Sequence, residues 1–265
     1  MIVRRAEVNP RLWDEFVAKS PDGWIWHTAS WLDYLAASGR RDDSVAEVDA
    51  HGIIGLCPAL LPVPADDPLP APLGEGWTPS WPTRKQPTPT RLDYSTGFYT
   101  RVVDLTRPPA DLWREIRRSY HSPIRRAGER YVIGEVSVAT LASLYAQQPD
   151  LPQLKPLQWR CIERLYHDGH LRIYGATAGQ CCEAAIAIYT MRGWGYYGHG
   201  RSLTPSVTPA LHWAAMQDLP RYGVRAYEVG WEYRPEVDDE KAKQIAFFKS
   251  GLAPTRWWIA TNGLP

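Results

Sequence analysis

The alternation that begins at Tyr131 and persists to Ala260 constrains this chain more than any other feature. Short runs rich in apolar and β-branched residues, "YVIGEVSV", "LRIYGAT", "EAAIAIYTM", "GWGYYGHG", "RAYEVG" and "RWWIA", are strand signals. Between them lie stretches at helical spacing: residues 139–148, 153–168, "PALHWAAMQDLPRYG" and "EKAKQIAFFKSG". The resulting order, β-α-α-β-β-β-α-β-α-β, predicts an α/β fold built on a mixed (α+β) sheet.

The stretch before it is less regular. Leu12, Trp13, Phe16 and Val17 sit at helical spacing until Pro21 and Gly23 break the pattern, and "HTASWLDYLAASGRR" repeats it with Thr28 or Ser30 as the cap and Gly39 as the stop. Apolar runs on either side of Ala50, His51 and Gly52 read as a hairpin. Residues 62–89 hold a large share of the 24 prolines without any period and read as a long irregular loop, of a length that is usually functional or mobile. "TRVVDL" at 100–105 reads as a strand, Pro108 and Pro109 open a helix reaching about Tyr120, and Ser122-Pro123 starts a second short helix. These breaks divide the chain into a first half, residues 1–108, and a second, residues 109–265.

Composition narrows the class. The chain's 265 residues, 44% of them hydrophobic, can bury a substantial core. Its apolar runs are too short to cross a bilayer, and "MIVRRAEVNP" has no apolar stretch of secretory length behind its arginines, so a soluble, cytoplasmic protein without a membrane span is expected. A net charge of +1 argues against coating DNA by bulk electrostatics. Cys57, Cys161, Cys181 and Cys182 show no metal or framework spacing and read as reduced, mostly buried thiols. His167 and His170 lack a third ligand nearby, so no metal site is expected.

The order of elements over residues 130–262 resembles the acyltransferase fold of the GNAT superfamily. GNAT enzymes that use acyl-CoA carry a glycine-rich R/Q-x-x-G-x-G/A turn whose backbone amides hold the pyrophosphate. The matching place here, "GRSLTPSVTPALHW" at 200–213, keeps an arginine but lacks both glycines and contains Pro205 and Pro209, which have no N–H to give. Several strings in family order resemble the Fem family of aminoacyl-tRNA-dependent transferases: "HTASWLDYL" (27–35), "TRVVDL" (100–105), "SPIRRAGER" (122–130), "YYGHGRS" (196–202), "YEVG" (227–230) and "FFKSGLAP" (247–254). That resemblance implies a GNAT-like architecture in two halves, a truncated N-terminal one and a complete C-terminal transferase domain. Two departures stand out: the chain is short for the family, and the usual "FK-x-x-FG" ends here as Ser250-Gly251-Leu252-Ala253.

The resemblance also implies site residues. The family's Phe-Lys pair falls on Phe248 and Lys249, where the lysine acts on the reacting ester and nearby phosphates. Aminolysis of an aminoacyl ester passes through an oxyanion, which a cation in a poorly hydrated place stabilises by about 3 kcal/mol. The alternative is that Lys249 compensates the helix dipole, a contribution of about 0.3–1 kcal/mol. The amine proton needs an acceptor, and Glu228 or His199 are the candidates. Glu232, Glu236, Asp238 and Asp239 either bind a cationic amine or supply the N-terminal carboxylates of the helix at 240. His199, between Gly198 and Gly200, sits where a GNAT fold bulges its fourth strand, or it is a surface residue between turn glycines. Tyr196, Tyr197 and Arg201 line the same strand end, Arg201 as a phosphate ligand, with Trp231 as a further substrate contact. Arg114, Arg117, Arg118, Arg125 and Arg126 either contact phosphates, Arg125 and Arg126 foremost, or form a solvated face paired with Asp111, Glu115 and Glu129.

The expectation is therefore a Fem-like N-aminoacyltransferase that moves a small amino acid, glycine or alanine favoured, from aminoacyl-tRNA to the amine of a small-molecule or peptide acceptor. That acceptor is a natural-product (antibiotic-type) intermediate or a peptidoglycan precursor. No cofactor is needed beyond the tRNA co-substrate. The competing expectations are an acyl-CoA N-acyltransferase with an atypical phosphate loop and a non-catalytic binding protein on the same scaffold.

Overall fold

The computed structural model describes residues 1–20, 23–61, 73–74, 84–85, 97–233 and 238–260. Most of the proline-rich segment 62–89 lies outside the described residues. The chain forms two compact units, one of residues 1–98, 154–165 and 258–265, the other of residues 99–153 and 166–257. Two later segments, residues 154–165 and 258–265, thus join the first unit.

In the first unit β1 (Ile2–Arg4) is followed by α1 (Pro10–Lys19) and α2 (Ala29–Ala37). Asn9 caps α1 by accepting from the Arg11 N–H at 2.9 Å, and Pro10 occupies the first turn, where its missing N–H costs nothing. Trp13 and Val17 face inward while Leu12 stays exposed, so the buried stripe is narrower than the spacing predicted. Of the two expected caps it is Thr28 that accepts from Trp31 N–H, at 3.3 Å. β2 (Val45–Asp49) pairs antiparallel with β1 and with β3 (Gly52–Cys57), forming the expected hairpin. Its turn is held by Asp49, whose carboxylate accepts from His51 and Gly52 N–H groups.

The second unit starts from β4 (Gly97–Asp104), α3 (Pro109–Glu115) and α4 (Arg118–Arg130). Sequence reading placed the break between these helices near Ser122-Pro123; it lies at Ile116 and Arg117, both extended. Burying Ile116 and docking the Arg117 N–H on the Gly251 carbonyl at 2.8 Å outweighs the local proline signal, and Pro123 stays inside α4. It removes a single early helix bond. β5 (Val132–Glu135) is shorter than expected because Ser137 turns away to cap α5 (Val138–Ala146). α6 (Pro156–His167), most of which belongs to the first unit, leads to β6 (Leu171–Ala178), β7 (Cys181–Met191) and β8 (Trp194–Ser202). α7 (Thr208–Asp218), β9 (Ala226–Trp231) and α8 (Glu240–Leu252) complete it, and β10 (Arg256–Ala260) belongs to the first unit from residue 258 onward.

The strands run in the order β10-β4-β9-β8-β7-β6-β5. β6 to β8 are an antiparallel meander, β5 pairs antiparallel with β6, and β8 meets β9 in parallel. The core gathers around α7, whose Leu211 and Met216 pack with Tyr174, Ile186, Ile188 and Val229. Truncating Leu211 to alanine removes contacts worth about 2–5 kcal/mol. Among the described residues no helix is long and apolar enough to cross a membrane, and no group of His, Cys, Asp and Glu is arranged for a metal. The cysteines are free; Cys181 is exposed, and burial pushes the Cys57, Cys161 and Cys182 thiols up.

Candidate active site

β8 and β9 are paired from Trp194 opposite Ala226 to Tyr196 opposite Glu228. Both strands become irregular just past that point. On β8 Gly198 is an extra residue between the pairs Ala187–His199 and Ile188–Tyr197, the bulge expected for this strand. A side chain there would run into the Tyr189 ring. On β9 the register against β4 slips between Glu228 and Gly230. Gly230 has φ +104°, and a Cβ on it would lie 2.5 Å from the Lys249 ammonium.

Lys249 thus reaches from the last turn of α8 across the bulged backbone of β9. Its ammonium is partly withdrawn from water, which lowers its pKa to about 8, while the negative charges of Glu228 and Asp238 pull the other way. Glu228 is fully buried and accepts from the Thr100 hydroxyl at 2.9 Å. The helix end that carries Lys249 is pinned from α4. Arg117 donates to the Phe247 carbonyl and to Ser250 Oγ, both at 2.9 Å, and Tyr120 donates to the Phe248 carbonyl at 3.2 Å. Gly251 leaves the room for this: a Cβ would lie 2.6 Å from the Tyr120 ring.

Behind Lys249 lies a group that sequence reading missed. His212, on the buried face of α7, has no exposed surface, and its Nδ1 is 2.7 Å from the Tyr227 hydroxyl. The ring meets Tyr197 edge-on at 4.7 Å and Phe248 at 5.7 Å. Its Nε2 has no hydrogen-bond partner among the described residues. Burial, and then the Lys249 charge, push its pKa down to about 3, so the ring is neutral. Burial also raises the Tyr197 phenol to about 12 and Tyr227 further. The available signal was weak: His212, Ala215 and Met216 share one helix face, which reads as core.

The structure sorts the expected residues. Phe248, Lys249, Glu228 and Tyr197 come together with His212 and Tyr227. His199 belongs to a different cluster: Tyr145 meets its Nδ1 at 2.9 Å and Tyr189 its Nε2 at 3.0 Å. Burial, then the Arg201 charge, lower its pKa to about 4. Arg201 lies over the Tyr145 ring at 4.0 Å and donates to the Pro152 carbonyl. Tyr196 and Trp231 are half-buried on the diverging strands.

The acidic loop divides its work. Asp239 caps α8 by accepting from Ala242 N–H at 2.7 Å, Glu232 is ion-paired to Arg101 and Arg256, and Asp238 bears on Lys249; Glu236 lies outside the described residues. Arg114 and Arg130 pair with Asp111 and Glu183. Arg118, Arg125 and Arg126 are exposed and have no ion pair among the described residues; Arg125 lies 5.8 Å from the Trp113 ring centre.

No protein-family model matches the chain, and no curated protein matches it. Solved structures do. It superposes on FemX with a TM-score of 0.61 at 11% identity, covering 97% of this chain and 96% of that one. L-PGS from Bacillus licheniformis gives 0.56 at 12% identity over 95% and 90%. The C-terminal domain of a putative lysylphosphatidylglycerol synthetase from Agrobacterium fabrum gives 0.52 at 9% over 96% and 92%. The chain therefore shares the mixed α/β fold of these proteins, and the α/β class is the one its element order predicted.

Proposed function

We propose that the protein is an N-aminoacyltransferase that takes a small amino acid, glycine or alanine, from aminoacyl-tRNA and joins it to the amine of a small-molecule or peptide acceptor. The observation that carries this reading is the placement of Lys249, a partly desolvated cation seated on Gly230 where β8 and β9 part.

In this reading the acceptor nitrogen attacks the ester carbonyl carbon and the carbonyl oxygen becomes an oxyanion. Lys249 stabilises that charge, by about 3 kcal/mol for a well-placed donor. With a pKa of about 8 the side chain is mostly cationic at neutral pH, and Glu228 and Asp238 help keep it so. Collapse breaks the bond from carbon to the ribose oxygen. The amine's proton ends on that oxygen, so an amide and a free 3′ terminus result. Glu228 is preferred to His199 as the group that manages this proton, because both His199 nitrogens already face tyrosine hydroxyls.

Two features favour tRNA over acyl-CoA as donor. Arg118, Arg125 and Arg126 offer exposed guanidinium groups on α4 that have no ion pair among the described residues, and Phe247, 66% exposed, lies under the Arg117 guanidinium at 3.9 Å. Cationic side chains interleaved with an exposed aromatic suit a single-stranded nucleic-acid end. In the loop where a pyrophosphate would need amides, Pro205 and Pro209 have none, Leu203 N–H is spent on the Glu183 carbonyl and Val207 N–H on that of Thr204. The natural-product and peptidoglycan readings of the acceptor both remain within this proposal.

The test is transfer of radiolabel to acid-stable, low-mass product from two pools, total charged tRNA and acetyl-CoA, each with a small-molecule extract and with or without ribonuclease. Transfer from tRNA alone, abolished by ribonuclease, is expected. Transfer from acetyl-CoA that ignores ribonuclease overturns the proposal.

A further inference from the structure

A second candidate binding place lies wholly within the first unit, between one face of α2 and one face of α6. Asp33, Ala36 and Ala37 on α2 oppose Leu157, Arg160, Cys161 and Arg164 on α6, and they enclose about 590 Å³. The positions recur every three or four residues on both helices, so each presents a single face to the other. The volume falls within the range of small-molecule sites.

The two helices are tied at both ends of this groove. At one end Lys155 donates to the Ser38 carbonyl at 3.0 Å; at the other Arg164 pairs with Asp33 at 2.5 Å, and Asp33 is also held by Arg5 at 2.7 Å. Between these ties the floor is made of small side chains, Ala36, Ala37 and the buried Cys161, whose thiol burial keeps protonated. Leu157 stands 48% exposed on the wall, an apolar surface left facing solvent. Arg160 is exposed beside it and has no hydrogen-bond or ion-pair partner among the described residues. Asp33 adds little negative charge to the space, being neutralised by two guanidinium groups. The groove thus combines a largely apolar floor with a cation at its rim that has no ion-pair partner among the described residues.

We propose that this groove binds a small organic anion, a carboxylate on an apolar body, with the carboxylate on Arg160 and the body over Ala36, Ala37 and Leu157. Guanidinium groups match the planar carboxylate by paired hydrogen bonds, and the apolar floor favours a hydrocarbon or ring over water. The proposal is independent of the transferase reading, since no residue of the Lys249 site takes part in it.

The test uses the full-length protein and 1-anilinonaphthalene-8-sulfonate, an anionic aromatic probe, followed by fluorescence. One saturable site is expected. Arg160→Glu, at an exposed position that does not threaten folding, weakens the probe at least tenfold, and Ala36→Phe, which fills the floor, does the same with unchanged circular dichroism. In competition, octanoate displaces the probe, whereas inorganic phosphate and octanol, which carry the charge or the body alone, are each at least tenfold less effective. Probe affinity unchanged in Arg160→Glu, or phosphate competing as well as octanoate, overturns the proposal.

Discussion

Two histidines, His212 buried and His199 half-buried, lie within the same sheet-and-helix unit, and the contrast between them separates structure from chemistry. His199 has a tyrosine hydroxyl on each ring nitrogen and sits in the β8 bulge; His212 has one on Nδ1, none on Nε2 among the described residues, and lies against Phe248 behind Lys249. Both rings are neutral, chiefly through burial. A satisfied network fixes a backbone shape, whereas a buried ring packed beside a desolvated cation stands where a cation can meet developing charge. On this view the His199 cluster holds the bulge and the Lys249 cluster is the one the proposed reaction would use.

The largest expected effect comes from Lys249→Met. Turnover falls about 100-fold or more, yet the protein becomes more stable at pH 7. Folding lowers the lysine pKa from 10.5 to about 8, so between those values the unfolded chain binds more protons and wild-type stability rises with pH. Below pH 8 the full cost of the buried ammonium applies, about 1–3 kcal/mol. Thermal unfolding at pH 7 and pH 10 should show the methionine variant melting higher at pH 7 and the gap narrowing at pH 10. A variant that melts lower at pH 7 would favour the helix-dipole role instead.

Gly230→Ala tests the same seat from the backbone side. Its φ of +104° disfavours any side chain, and the new methyl meets the Lys249 ammonium. A displacement of about 1 Å costs about 100-fold in rate, so a loss of 10- to 100-fold in transfer is expected, with KM for charged tRNA changing less than kcat. By contrast His199→Phe should act on stability, losing about 1–3 kcal/mol in denaturant unfolding as two tyrosine hydroxyls lose their partner. If that variant loses transfer while unfolding normally, the division between the two clusters is broken.

Much of this arrangement was legible in the sequence because it rests on local signals. Period and turn chemistry gave the strands and helices from Tyr131 onward, and Asp239 announced the start of α8. What escaped was decided by contacts distant in sequence. The helix break at Ile116–Arg117 depends on Gly251, more than 130 residues later, and overrides a good local signal at Ser122-Pro123. His212 looks like one more core position of α7 until Tyr227 and Phe248 are placed against it. Gly230 stood in a quoted string, but nothing local showed that its missing side chain is occupied by a lysine from the next helix.

Glu228→Gln costs rate as the proposed proton acceptor is lost, and in the transfer that survives it sharpens the comparison with a smaller effect on pH dependence. Its negative charge does more than that of Asp238 to raise the Lys249 pKa against desolvation. Neutralising it should move that pKa below 8 and shift the alkaline limb of the pH–rate profile to lower pH, because the cation is lost earlier. An unmoved limb would mean that another group titrates there.

The smallest effect tests whether the two histidines differ electrically as well as in their bonds. Burial dominates both depressed pKa values, but the second influence is Lys249 on His212 and Arg201 on His199. Removing the ammonium in Lys249→Met should therefore raise the His212 pKa from about 3 while leaving His199 near 4, as followed by the ring-proton shifts in an NMR titration. The change is modest because desolvation persists, but its selectivity is the point. Equal movement of both rings would mean that the substitution loosened the whole core, and movement of neither would mean that the Lys249 charge does not reach His212.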